Sequence, residues 1–247
     1  NCGYGMAPQG RDTFYGSVMD EKFLTLAGAN TDETLSLFFD RKKAKRAFQD
    51  RYGVRLDWNT FDEFNEKCDR LPTGCNLVPL IGYSAVRASV MGRNCLREAG
   101  TEELSALEKA VELCMDAGAY GISTGRDPIY LPGPYASDDE MRQMLQAVAR
   151  RGGIFSSHTY NRNEQGVPDR IGGYREMLRQ AEKTGIRLNI SHVHVMNMAE
   201  SDREAVSAAE QTLDYFRRLS EQGYDLTYDV IPSPACADFT QGPPDTF

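Results

Sequence analysis

The sequence is poor in the residues that mark several common protein classes. Its 247 residues include only three histidines and one tryptophan, and its six cysteines form no CxxC pair. Scattered cysteines in a chain of this length indicate a reduced, cytoplasmic protein and argue against a disulfide framework. No apolar run reaches the roughly 18 residues of a membrane-spanning helix, so no membrane segment is predicted. The net charge of −8 argues against general affinity for nucleic acid, which needs clustered positive charge.

Glycine-rich phosphate loops are missing as well. No predicted strand is followed by a GxGxxG or GxxxxGKS/T pattern, so a nucleotide-binding domain has no support. The one basic run, residues 40–51, is interpreted as a solvated helix face. Of the six cysteines, Cys114 lies inside an apolar helical pattern and is expected to pack in the core.

From residue 76 onward, short apolar runs alternate with amphipathic helical patterns. The predicted strands cover residues 76–82, 119–124, 153–158, 186–192 and 224–232. The predicted helices cover residues 101–118, 137–152, 175–185 and 201–223. This alternation predicts an α/β fold with a parallel sheet, because each parallel connection needs a crossover. An open doubly wound sheet and a (β/α)8 barrel both fit the pattern.

The remaining local signals concern helix starts and the first 75 residues. Ser137 with Glu140 and Ser201 with Glu204 predict two capping boxes, in which serine and glutamate satisfy each other's backbone N–H groups. Helical patterns at 31–51 and around 60–71 predict a helical insertion, assigned to residues 9–75, that covers one end of the sheet.

Two of the three histidines are the last residues of predicted strands. His158 and His192 end consecutive strands, and the carboxyl ends of parallel strands meet at one edge of a sheet, where ligands bind. Imidazole is a common zinc ligand, so the pair predicts a shared metal site. A structural hydrogen-bonding role for each histidine is the alternative. His194 lies two residues after His192, and the periodicity leaves open whether it reaches the same site.

Seven segments, in order along nearly the whole chain, resemble the D-aminoacylase (N-acyl-D-amino-acid deacylase) family of the amidohydrolase superfamily. They are NCGYGMAP (1–8), WNTFDEF (58–64), NLVPLIGYSAVRASVMG (76–92), GAYGISTGRDPIYLPGPYASDDEM (118–141), SSHTYNRNE (156–164), LNISH (188–192) and YDVIPSPA (228–235). The resemblance implies a zinc-dependent barrel hydrolase that cleaves a small-molecule N-acyl-D-amino acid into a carboxylate and a D-amino acid. Its zinc ligands correspond to Cys2, His158 and His192, with the thiolate in the place that a carboxylated lysine holds in many relatives.

The resemblance also implies that parts of the catalytic machinery are missing from this chain. The family's HxH pair for a second metal position is expected before residue 1, and its aspartate base after Phe247. The chain is therefore expected to hold about six of eight barrel strands and to be inactive alone. A truncated or inert homologue that binds metal or a partner is the alternative. An amidohydrolase for cyclic amides or dipeptide-like substrates is the alternative within enzymes.

The substrate-binding candidates are His194, Arg162 and Tyr130. His194 stands where the family usually has a lysine, and an imidazole holds a carboxylate less firmly than an ammonium does at neutral pH. The chain departs from the family pattern at two further positions. Tyr160 stands where the family has an arginine, with Arg162 two residues later, and Ile231 stands where it has a tyrosine. Arg126 is a further candidate for gripping an anionic substrate, with a surface arginine as the favoured alternative. The sequence leaves the acyl group, the side-chain specificity and the oligomeric state open.

Overall fold

The structure is a computed structural model, and it describes residues 2–10, 41–53, 55–70, 74, 76–126, 130–158, 170–193 and 201–230. The strands are β1 Ile81–Gly82, β2 Gly121–Thr124, β3 Ile154–His158, β4 Arg187–Val193 and β5 Leu226–Val230. The helices are α1 Arg41–Tyr52, α2 Phe61–Asp69, α3 Tyr83–Met91, α4 Thr101–Asp116, α5 Asp138–Ala149, α6 Arg170–Thr184 and α7 Asp202–Glu221. Short 3-10 turns cover Gly92–Leu96 and Gly133–Tyr135. None of the described helices is long and apolar enough to cross a lipid bilayer.

The five strands form one sheet in the order β1-β2-β3-β4-β5, and every neighbouring pair is parallel. This confirms the predicted α/β fold with a parallel sheet and all five predicted strands. The order follows the chain without the reversal that defines a doubly wound sheet. Closure into a (β/α)8 barrel and a sixth strand stay predictions, because only these five strands lie in the part of the chain that the structure describes.

The first predicted strand is much shorter than expected, and a helix that the sequence did not reveal follows it. Only Ile81 and Gly82 pair with β2, and α3 begins at the next residue. Almost every side chain of α3 is buried. A helix that is enclosed on all sides has no polar face, so it lacks the amphipathic period by which helices are recognised.

The two faces of the sheet differ in the size and polarity of most of their side chains. The face that joins the helices in the hydrophobic core carries Ile81, Ile122, Phe155, Leu188 and Ile190, all at most 3% exposed. Because side chains alternate along a strand, the strand register puts small and polar residues on the other face: Gly82, Ser123, Ser156, Asn189 and Ser191. We call this the small-residue face. Cys114 packs in the core as predicted, and burial raises the pKa of its thiol to about 12.

At the start of α5, the structure corrects one of the predicted capping boxes. The Ser137 hydroxyl accepts a hydrogen bond from the Glu140 backbone N–H at 3.2 Å, as predicted. The Glu140 side chain, however, is fully buried and pairs with the guanidinium of Arg87 and the hydroxyl of Tyr83. A tertiary ion pair therefore replaces the local contact to the serine backbone. At α7, the Ser201 hydroxyl accepts from the Glu204 backbone N–H at 3.3 Å.

Candidate metal centre

Three side chains from distant parts of the sequence converge at the carboxyl ends of β3 and β4. The Cys2 sulfur lies 3.4 Å from His158 Nδ1 and 3.1 Å from His192 Nε2, and the two ring nitrogens are 3.2 Å apart. Cys2 and His158 are each 7% exposed. Among the residues that the structure describes, these three form the one group of three or more potential metal-ligating side chains whose donor atoms lie within 4.8 Å of one another.

A β-bulge brings the two histidines to the same face of the sheet. His158 pairs with Ser191, so a regular β4 would turn the next residue, His192, to the helix-packed face beside Ile190. Instead, Ile190 pairs with Tyr228 and Val193 with Val230, so two residues of β4 stand opposite one residue of β5. His192 adopts a positive φ of 39° at this bulge, and its ring then meets that of His158.

Cys2 is placed by a backbone segment that lies against the small-residue face. The Gly3 N–H donates to the Ser123 hydroxyl at 3.0 Å, and the Gly3 carbonyl accepts from the Ser84 N–H at 3.1 Å. Gly3 has a φ of +82°, and a Cβ there would lie 3.0 Å from the backbone of Gly125. At Gly82 a Cβ would lie 2.4 Å from the Tyr4 carbonyl carbon. Glycine at both positions therefore lets the cysteine segment cross the strand ends closely.

Side chains near α1 and α2 hold the chain segment that follows Cys2, residues 3–10. The Met6 carbonyl accepts hydrogen bonds from the Trp58 indole and from the Gln9 side chain, both at 2.7 Å. Arg41 is 9% exposed and donates to the carbonyls of Gly10 and Trp58. The interpretation of the basic run as a solvated face is therefore wrong for Arg41, because backbone carbonyls that need donors surround its guanidinium.

The donor set and its spacing fit a zinc ion. Zinc bonds of about 2.0–2.1 Å to nitrogen and 2.3 Å to sulfur, at tetrahedral angles, separate two nitrogens by about 3.3 Å and sulfur from nitrogen by about 3.6 Å. The three observed separations, 3.1 to 3.4 Å, lie within about 0.5 Å of those values. A thiolate with two imidazoles is also a ligand set that suits this borderline-soft ion.

The surroundings of Cys2 favour its thiolate, the form that binds metal. Burial raises the pKa of the Cys2 thiol, but hydrogen bonds with His158 and His192 and the charge of His158 outweigh it and lower the pKa to about 6. A thiol with this pKa is largely deprotonated at neutral pH, so little free energy is spent on removing its proton when a metal binds.

We expect the Cys2 thiol of the metal-free protein to titrate near pH 6, as followed by the ultraviolet absorbance of the thiolate. The folded-state pKa lies below the ordinary cysteine value of about 8.5. The stabilisation from the thiolate is therefore complete above that ordinary value and is lost as the pH falls through about 6. Cys2→Ser serves as the control and should remove the step. A step near pH 8 to 9 assigned to Cys2 would contradict this electrostatic picture.

The structure describes only some of the predicted substrate-binding residues. The Tyr130 ring is buried and packs against the His158 ring at a tilt of 59°, with ring centroids 4.4 Å apart. Arg126 forms ion pairs with Asp138 at 2.7 Å and Glu176 at 2.9 Å and donates to the Ala136 carbonyl. These contacts favour a structural role for Arg126. The predicted residues His194 and Arg162, and the departures Tyr160 and Ile231, lie outside the described residues.

One residue beside the candidate metal centre was missed by sequence reasoning. The Asp229 carboxylate accepts a hydrogen bond from the His192 backbone N–H at 2.6 Å and another from the Asn189 side chain at 3.0 Å. The available signal was an acidic residue near the end of the last predicted strand, in the segment YDVIP. Strand-end acidic residues are common, and only the pairing of β5 with β4 gives this one a partner.

Comparison with known proteins finds relatives along most of the chain. No family model matches. The chain is 30% identical over 175 residues to a D-aminoacylase of Alcaligenes xylosoxydans xylosoxydans, covering 70% of this chain and 34% of the relative. It is 29% identical over 159 residues to an N-acyl-D-glutamate deacylase of the same organism, covering 64% and 30%. The chain thus spans about a third of the length of these relatives.

Solved structures show the same fold. A D-aminoacylase described as defining a novel subset of amidohydrolases superposes with a TM-score of 0.66 at 21% identity, covering 94% of this chain and 40% of that one. The N-acyl-D-glutamate deacylase of Bordetella bronchiseptica, solved with zinc and a phosphonate inhibitor, superposes with a TM-score of 0.60 at 24% identity, covering 72% and 35%. At these identities the superpositions establish the parallel α/β fold of this chain.

Proposed function

We propose that this chain is part of a zinc-dependent amidohydrolase. The premise is that its homologues and structural neighbours are D-aminoacylases and an N-acyl-D-glutamate deacylase. The substrate class is an N-acyl-D-amino acid, cleaved at its linear amide. The observation that carries the proposal is the triangle of one cysteine sulfur and two imidazoles, with Cys2 and His158 buried and His192 partly buried, at the carboxyl ends of parallel strands.

Cys2, His158 and His192 would hold the zinc ion. When bound, zinc supplies Lewis acidity that polarises an amide carbonyl and makes water more acidic. Three protein ligands leave one position of a tetrahedral ion open, which is typical of catalytic rather than structural zinc. Tyr130, packed on His158, would fix the orientation of that imidazole and form one wall beside the metal.

Further parts of the proposal concern the whole protein. The sheet would close as a (β/α)8 barrel, with residues 9–75 as an insertion that holds the cysteine segment through contacts such as Trp58 to Met6. An HxH pair and an aspartate base would come from outside this chain. His194 and Arg162 would contact the substrate carboxylate, as a cationic or hydrogen-bonding group must do for an anionic substrate. The protein would be cytoplasmic.

The proposal is tested by assaying the protein in its natural full length, loaded with zinc. We expect release of free amine from N-acetyl-D-amino acids and far less from the L-enantiomers, with loss of turnover by at least 100-fold in His192→Ala. Cys68→Ala is the control, because Cys68 is partly exposed and lies on α2. The 247-residue chain alone should be inactive. A zinc-loaded, full-length protein that releases no amine from any D-substrate would favour the inert homologue.

A further inference from the structure

We propose that Asp229 is a positioning residue for the candidate metal centre: its carboxylate holds the β-bulge that turns His192 toward Cys2 and His158. The inference rests on the proposed function, because it concerns the same metal site. The three predicted ligands lie outside β5. The inference gives β5 a separate role, which is to hold the bulge that orients His192.

The first argument is the register of the sheet. Ser191 and His192 together stand opposite the single residue Asp229, between the pairs Ile190 with Tyr228 and Val193 with Val230. If β4 had no bulge, strand alternation would point His192 to the helix-packed face and Val193 to the small-residue face. With it, Val193 is 8% exposed in the hydrophobic core, and His192 Nε2 lies 3.1 Å from the Cys2 sulfur.

The second argument is the hydrogen bond at the bulge itself. A bulge leaves an unpaired backbone group, and His192 also adopts a left-handed φ of 39°, a conformation that is strained for a non-glycine residue. Asp229 Oδ1 accepts the His192 N–H at 2.6 Å. A carboxylate acceptor makes this bond stronger than one between neutral groups. The conformation that aims the imidazole is therefore stabilised directly by Asp229.

The third argument is that Asp229 is itself held in place. Its Oδ2 accepts from Asn189 Nδ2 at 3.0 Å, and Asn189 Oδ1 accepts from the Thr227 hydroxyl at 2.8 Å. Asn189 also lies within 3.4 Å of the hydroxyls of Ser156 and Ser191, which are 2.8 Å from each other. This chain of bonds on the small-residue face ties the carboxylate to β3 and β4, so that Asp229 reaches the bulge in one orientation.

The test compares zinc affinity, by competition with a chelator, and the visible spectrum of the cobalt-substituted protein, which reports ligand geometry. We expect Asp229→Ala to weaken zinc binding by about 10- to 100-fold and to shift the cobalt bands. Asp229→Asn keeps one acceptor oxygen for the His192 N–H, so its affinity and spectrum should fall between those of Asp229→Ala and the unsubstituted protein.

The control is Asp225→Ala, which removes the same charge about four residues earlier, roughly 13 Å along the chain from the bulge. It should leave affinity and spectrum unchanged. Asp229→Ala with affinity within twofold of the unsubstituted protein and identical cobalt bands would overturn the inference. If Asp229→Ala does not fold, the same comparison is made with Asp229→Asn. Failure of the unsubstituted protein to bind zinc would instead overturn the proposed function, and this inference with it.

Discussion

Replacing His158 or Cys2 by alanine is expected to leave the purified protein without zinc at this site. Each substitution removes one of the three donor atoms that lie within 3.1 to 3.4 Å of one another, and an ion with two remaining protein ligands is held far more weakly. We expect a loss of affinity well beyond the roughly 10- to 100-fold that follows from changing a supporting residue. Elemental analysis of the purified variants, with equilibrium dialysis against added zinc, measures the effect.

The matched control for the cysteine is Cys68→Ala. Cys68 is a partly exposed free thiol on α2, so its loss should leave the zinc content unchanged. Circular dichroism of each metal-free variant separates a lost ligand from a lost fold. Zinc content that stays at the level of the unsubstituted protein in both Cys2→Ala and His158→Ala would refute the ligand assignment.

Arg87→Met is expected to lower the free energy of unfolding by about 3–5 kcal/mol, the usual cost of leaving one partner of a buried ion pair alone. Arg87 and Glu140 are both 0% exposed, and Glu140 also accepts from the Tyr83 hydroxyl. Arg87 further donates to the carbonyl of Cys95 at 3.0 Å. One guanidinium thus connects α3, α5 and the turn after α3, and methionine replaces its volume but none of its donors.

Chemical denaturation measures the change, with Arg217→Met as the matched control. Arg217 pairs with Asp214 on α7 at 2.7 Å, but both side chains are more than half exposed. Exposed pairs contribute little to stability because water screens them, so the control should change the unfolding midpoint only slightly. Adding Glu140→Leu to Arg87→Met should recover part of the loss, since it removes the stranded charge. Equal midpoints for Arg87→Met and Arg217→Met would contradict this account.

Much of the fold could be predicted from the sequence because its elements obey local rules. Short apolar runs and the glycine stops of the helices between them located all five described strands. The helical stripe at 101–118 corresponds to α4, Thr101–Asp116. The elements that escaped prediction are those whose environment is tertiary. Helix α3 is enclosed on nearly all sides, and Glu140, a normal capping residue by its spacing, is drawn into the core by Arg87.

The candidate site shows the same division. Strand ends pointed to His158 and His192, the family resemblance added Cys2, and the structure brings these three together; their role as metal ligands stays a prediction. The anchoring roles of Arg41 and Asp229 were not visible, because each depends on a backbone group that is distant in sequence: the Trp58 carbonyl for Arg41 and the His192 N–H for Asp229.

The sequence by itself determined which chemical groups are available and near which strand ends they fall. Only the tertiary structure decided that the two histidines face each other. Alternation along a regular strand would separate His192 from His158, which pairs with Ser191. The bulge that overrides this alternation is a property of two paired strands. Asp229, which accepts a hydrogen bond from the His192 N–H at the bulge, lies 37 residues from His192 in the sequence. A local sequence pattern does not specify the register between two strands, because the register is set only when the strands pair.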